Sequence, residues 1–391
     1  MTLGSSQHFD HWLQNLADET GYAGDSNHVD MKNGTTLVLR QNAPTNFLTP
    51  INPIDPGGTV NVVIDRQAAG AGVTHSVNAI NSSGTFTLNL TAGSNVTSGT
   101  MGLSVGAVTM AGDGTFNVGS NALASVTGVV SGAFSLTKSG PGTLALAGAN
   151  TYTGATSVNA GTLQVDGSIA TSSAVTVGSG ATFIAGSSQT VGALTINHGG
   201  AAQVAPNGNR VLTVNGLTIG STGKLDLFDN DLIVEYTGAS QLGAVQSQIN
   251  AARAGGSWLG NGGITSTTAK NNPAHNTTLG AMESADFQAI YGAGAPFSGQ
   301  PIDATAVLVK YTYYGDANFS GAVDFDDYVK IDIGFNAGRS GWVNGDFNGD
   351  GLINFDDYVL IDVGFNTQGG TLGRGGSGGS SRPGPRGRSF T

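Results

Sequence analysis

The 391 residues include no cysteine, and only 10% of the side chains are charged. Without thiols there is no disulfide framework, no thiolate zinc or iron–sulfur centre and no cysteine nucleophile. Ordinary domains carry about 25% charge, so this surface must stay soluble by other means. Pro numbers only 11, which excludes a collagen-like chain. No run approaches about 18 consecutive apolar residues, so nothing reads as a transmembrane segment. The net charge of −11 comes without a basic stripe, which argues against nucleic acid as a partner. The six His show no HExxH spacing. The start, MTLGSSQHFDHWLQNLADET, has no basic stretch followed by an apolar run and does not read as a secretory signal.

Glycine, at 63 residues, is what the chain has in excess. A short phrase recurs: Gly, a small or polar residue, then apolar–any–apolar. It stands as GTVNV at Gly58, GTFTL at Gly84, GTMGL at Gly99, GTFNV at Gly114, GAFSL at Gly132, GTLAL at Gly142, GTLQV at Gly161 and GKLDL at Gly223. Each reads as a turn feeding a short strand whose alternate side chains face one way. Repetition at such short spacing predicts a mainly β solenoid, each coil burying its apolar face against its neighbours. Residues 60–222 hold only Asp65, Arg66, Asp113, Lys138, Asp166 and Arg210 as charged groups, so the outside is Thr, Ser, Asn and Gly. A β-sandwich is the alternative arrangement.

Residues 136–165, LTKSGPGTLALAGANTYTGATSVNAGTLQV, carry a KSGPGTL start, a centre with Asn150, Tyr152 and Gly154, and an AGTLQV close. This segment resembles the autotransporter-associated β-strand repeat, also called the passenger-associated transport repeat. The resemblance implies a right-handed parallel β-helix and an extracellular or cell-surface location.

The expected organisation has five parts. Residues 1–32 form an N-terminal segment, 33–223 the solenoid, 224–314 a small α+β cap, 315–366 a duplicated loop–helix module, and 367–391 a disordered Gly/Arg-rich tail. In the cap, KLDLFDNDLIVEYTG reads as two strands, DATAVLVKYTYYG as a closing strand, and QLGAVQSQINAARAGG as a helix with Leu242, Val245, Ile249 and Ala252 on one face and Gly255–Gly256 at its end. Asp226, Asp229, Asp231 and Glu235 alternate with apolar residues there and read as the solvated face of a strand.

Charge concentrates near the C-terminus. Residues 315–366 hold ten acids against two bases, while the last 25 residues hold four Arg and no acid. GDANFSGAVDFDDYVKIDIGFN at 315–336 and GDFNGDGLINFDDYVLIDVGFN at 345–366 are one sentence written twice, with 14 of 22 positions identical. Oxygen-bearing side chains fall at relative positions 1, 3, 5, 9 and 12: Asp316, Asn318, Ser320, Asp324 and Asp327, then Asp346, Asn348, Asp350, Asn354 and Asp357. Gly321 and Gly351 occupy position 6, and the carbonyls of Ala322 and Leu352 position 7. This is the spacing of an EF-hand calcium loop, so two Ca²⁺ ions are expected. Ser320 replaces an acid, making the first site the looser. Val323 and Ile353 are expected to face each other between the loops, and Tyr328, Val329, Ile331, Tyr358, Val359 and Ile361 to form the shared core.

Only a helix after each loop is evident, and position 12 is Asp rather than Glu. A loop and helix duplicated in this way resemble the type I dockerin module. That resemblance implies calcium-dependent folding and a cohesin-like or other surface protein as partner, docked through Phe325 and Asp326, then Phe355 and Asp356. Packing between the repeats is the plainer role for the two Phe. The chain thus reads as a non-catalytic extracellular protein, a solenoid shaft carrying a docking module. A β-helix enzyme of polysaccharide catabolism, glycoside hydrolase or lyase, is the rival, and a glycan-binding adhesin the third reading; no catalytic residues emerge for either.

Overall fold

A computed structural model describes the backbone of residues 2–3 and the chain from 28 to 372. Most of the N-terminal segment and the tail beyond 372 lie outside the described residues.

The first compact unit, which runs to Glu235 and resumes over Ser247–Lys270, is a parallel β-solenoid of about nine turns. Strands alternate between two sheets, and within each sheet the neighbours pair parallel. That pairing excludes the antiparallel sandwich. All eight glycine phrases lead into strands, among them Gly58–Asp65, Gly114–Val118 and Gly161–Val165.

The register explains the phrase. One outward column runs through Thr59, Thr87, Thr115, Thr137, Ser157, Thr176, Thr195 and Thr218, a hydroxyl on every coil. Two residues on, Asn117 donates to Asn89 and Asn89 to Asn61, both at 2.9 Å. Neutral side chains bonded along the axis thus do what charge does on other surfaces. The inward column between them reads Val60, Leu88, Phe116, Lys138, Val158, Val177 and Ile196. All are buried, Lys138 included.

The solenoid continues past 223, where the sequence suggested a separate cap. Lys224–Asp226 pairs with Ala201–Val204, and Asp231–Glu235 with Val211–Ile219, both parallel. Asp231 is buried, not on a solvated face. Asp226 accepts from the backbone of Phe228 and Thr267, and Asp229 from Asn207, so these carboxylates tie turns together. The expected helix forms over Leu242–Arg253, with Val245, Ile249 and Ala252 buried and Gly255 and Gly256 at positive φ just beyond it.

The second unit comprises Tyr236–Gln246 and the chain from Asn271 onward. Its floor is an antiparallel hairpin of Thr277–Glu283 and Ala306–Tyr313, the latter buried at every position. Helix Ser284–Tyr291 follows the first of these strands. Both loop–helix repeats are built onto this hairpin, with helices at Phe325–Asn336 and Phe355–Thr367.

Candidate metal-binding loops and the repeat

Each loop folds around its first carboxylate. Asp316 is fully buried; its Oδ1 accepts from Ser320 N and its Oδ2 from Gly321 N, each at 2.9 Å, and the Thr312 hydroxyl donates to it as well. Gly321 and Gly351 turn the chain at φ of 86° and 91°, a region where a side chain is strained. In the second loop Asp346 Oδ2 accepts from Gly351 N at 3.1 Å and Gly341 N at 3.2 Å. Asn318 and Asn348 accept from the residue two ahead at 2.8 Å, as does Asp350 at 2.9 Å.

Asp324 and Asn354 cap the two helices, each forming a capping box with the Asp at position 12. Asp327 accepts from Ala317 N and Asp324 N, and Asp357 from Phe347 N and Asn354 N, at 2.8 to 3.0 Å. Positions 9 and 12 are thereby drawn together in both loops, with position 12 also bonded to the backbone of position 2. Asp350 and Leu352 stay at the exposed rim. Among the described residues no three His, Asp or Glu side chains converge closely enough to hold a metal by themselves. The oxygen set here also includes Asn, Ser and backbone carbonyls, the neutral donors that calcium accepts.

Electrostatics single out the buried acids. Burial pushes the Asp316 carboxyl up to about 6, against the lowering effect of its hydrogen bonds and of Lys310. Burial, then the nearby Asp316 charge, pushes Asp327 up to about 8. Asp346 and Asp357 are raised as well, again chiefly by burial. Asp346 Oδ1 is the one buried carboxylate oxygen among the described residues with no hydrogen-bond partner. An unmet buried acceptor of this kind is costly unless a cation or proton satisfies it.

The repeats relate as a pseudo-two-fold pair. Tyr328 donates to Asp362 and Tyr358 to Asp332, both at 2.6 Å. Val323 abuts Gly364, and Ile353 abuts Gly334, so each position-8 side chain reaches the opposite helix. Ile331 and Ile361 are wholly buried, but Val329 and Val359 are 38% and 43% exposed and lie outside the core expected of them. Phe325 and Phe355 are 77% and 78% exposed, which overturns packing between repeats as their role. Asp326 and Asp356 flank them on the exposed first turns.

Support from the hairpin is what the sequence did not reveal. Lys310, in the strand before the first loop, is buried and lowers Asp316 through its charge. Phe319 sits at φ 63° where the second loop has Gly349, because its ring is buried between Phe297 and Trp342. Trp342 in turn meets Phe347, with ring centroids 5.1 Å apart. Beyond the second helix, Gln368 clips Val323 through both amide atoms and Leu372 N reaches Gly321 O at 2.8 Å. Residues 367–372 therefore brace the first loop, where the sequence suggested the start of a disordered tail.

In the segment 136–165, Lys138, Asn150 and Tyr152 face inward. Asn150 bonds Val130 N, Gly148 O and Ser168 O across three coils. Tyr152 is buried, its hydroxyl 2.7 Å from Thr156 Oγ1, and burial raises it to about 12. Lys138 donates to the carbonyls of Ser139, Gly140 and Ala160 at 2.7 to 3.0 Å. The parallel solenoid and these coils fit a passenger-domain-like surface protein. Residues 136–165 match the family described as passenger-associated-transport-repeat. No curated protein and no solved structure matches the chain. Among the described residues no helix is long and apolar enough to cross a membrane.

Proposed function

We propose that the chain is a non-catalytic extracellular or cell-surface protein, a solenoid shaft carrying a calcium-stabilised, dockerin-like docking module. The observation that carries the calcium reading is Asp346 Oδ1, a buried carboxylate oxygen with no partner, inside a loop of oxygen donors. Asp316, Asn318, Ser320, Ala322, Asp324 and Asp327 would hold one ion, and Asp346, Asn348, Asp350, Leu352, Asn354 and Asp357 the other. The ion would neutralise carboxylates that burial otherwise drives to protonate. At a Kd on the order of 1 μM and about 1 mM free calcium, each ion adds about 4 kcal/mol to stability.

The docking reading is supported by Phe325 and Phe355, large apolar rings left in solvent at equivalent places on two helices. Asp326 and Asp356 beside them give the surface a negative rim, suited to a partner with an apolar, basic-edged groove. Isothermal titration calorimetry with calcium tests the module directly. Two exothermic or endothermic sites, abolished by Asp346→Ala together with Asp316→Ala, support it; absence of heat at millimolar calcium discards it.

A further inference from the structure

Residues 315–366 contain only two basic side chains, Lys330 and Arg339. Both line one cavity of about 540 Å³ formed by helix Ser284–Tyr291, helix Phe325–Asn336 and the segment after it. We propose that this cavity binds a sugar acid, its carboxylate held between Lys330 and Arg339 and its ring against aliphatic walls.

Four observations lead to that ligand. First, among the described residues neither base has a carboxylate within ion-pair distance, Lys330 acting on Asp286 only through its charge from farther away; the guanidinium's one side-chain hydrogen bond among them runs to the neutral Asn344 Oδ1 at a long 3.4 Å. Two cations facing one space, in a module with eight excess negative charges, mark a place for an anion. Second, Asp286 shares the lining, so the wall carries two positive charges and one negative. A net charge of +1 matches a monocarboxylate better than a phosphate dianion. Third, Ile290, Ile333 and Val343 supply apolar surface for a body attached to the carboxylate. Fourth, the acceptor oxygens of Asp286 and the amide of Asn344 suit hydroxyl groups, which a plain fatty acid lacks.

The assignment is independent of calcium and of the Phe325–Phe355 face. It is tested by saturation-transfer NMR on the full chain with calcium present, using glucuronate and galacturonate as probes and glucose and hexanoate as controls. Transfer to a uronate, with glucose silent, is the expected result. Lys330→Gln with Arg339→Gln is expected to weaken it by at least about tenfold, the loss of a charge-assisted bond, with an unchanged circular dichroism spectrum. Asp286→Asn, which removes the like charge but keeps one oxygen to accept from a sugar hydroxyl, is expected to tighten it, an effect that a merely structural role does not produce. No transfer from either uronate at concentrations on the order of 10 mM, a range set by the weakest specific binding, overturns the site. So does binding that survives the double substitution, or hexanoate binding while the uronates do not.

Discussion

Trp342 donates its indole N–H to the backbone carbonyl of Asp316 at 2.7 Å, joining the linker between the repeats to the first residue of the first loop. Its ring covers Gly280 on the hairpin so closely that a Cβ there would lie 2.5 Å from it. One side chain thus fastens loop, linker and hairpin together.

Replacing Trp342 with Ala is therefore expected to cost about 3–5 kcal/mol, the range for emptying a buried aromatic site. The gentler Trp342→Phe keeps most of the packing but orphans the Asp316 carbonyl, at about 1–3 kcal/mol. Denaturant unfolding followed by near-UV circular dichroism measures both. The solenoid's far-UV β signal should hold in each variant; a fragment of residues 315–366 that folds as well without the hairpin as with it removes the basis for this expectation.

The acids beneath the loops set a pH dependence whose sign depends on metal. In metal-stripped protein the folded-state carboxyls of Asp316 and Asp327 lie at about 6 and about 8, above their unfolded values. The folded state then binds more protons than the unfolded state, so stability is full below about pH 4 and is lost as pH rises toward 8. On the proposed reading calcium needs those groups ionised, so its stabilisation would grow over the same window. Thermal unfolding of the second unit at pH 5 and pH 8, with and without calcium, should show the stripped protein weaker at pH 8 and the calcium increment larger there. Equal increments at both pH values contradict the assignment.

Much of the architecture can be read from local rules. Gly followed by period-2 alternation marks the coils because a turn and a half-buried strand each leave a short-range signature. The twin loops are legible because their oxygen-bearing residues come at fixed spacing on one stretch of chain, the spacing a calcium loop would need. Thr277–Glu283 was missed because six of its seven residues are buried, so TTLGAME shows no alternation. Lys310, Thr312 and Trp342 were missed as supports because their contacts to the first loop form only after the hairpin closes. Nothing in KSGPGTL marks Lys138 as buried; only the register with Phe116 and Val158 puts it inside.

Asp346 offers a test that separates folding from metal binding. Asp346→Asn replaces an unmet buried carboxylate oxygen with a neutral amide of the same shape. Without metal the variant should be as stable as the parent or up to about 1–3 kcal/mol more stable, since the buried charge is gone even though the amide group in its place is also unpartnered. With calcium the order should reverse, because the loop has lost a charged ligand. Parallel unfolding curves in chelator and in calcium check the crossing. A variant less stable under both conditions means the carboxylate serves the loop's backbone alone.

Lys138 carries the last prediction, on the solenoid itself. Its ammonium is buried in an otherwise apolar column, and burial lowers it to about 8. The unfolded chain therefore keeps a proton that the folded chain has lost between about pH 8 and about pH 10.4, so stability should rise with pH across that window. Lys138→Met fits the column's apolar character and removes the titration, but leaves the carbonyls of Ser139, Gly140 and Ala160 without their donor. At neutral pH the variant is expected to lose about 1–3 kcal/mol, the range for orphaned buried acceptors. Because only the parent gains on alkalinisation, the gap should widen toward pH 10. Chemical denaturation of both proteins at pH 7 and pH 10, read from far-UV circular dichroism, decides it. A gap that closes with rising pH shows that the turn depends on the positive charge rather than on the hydrogen bonds.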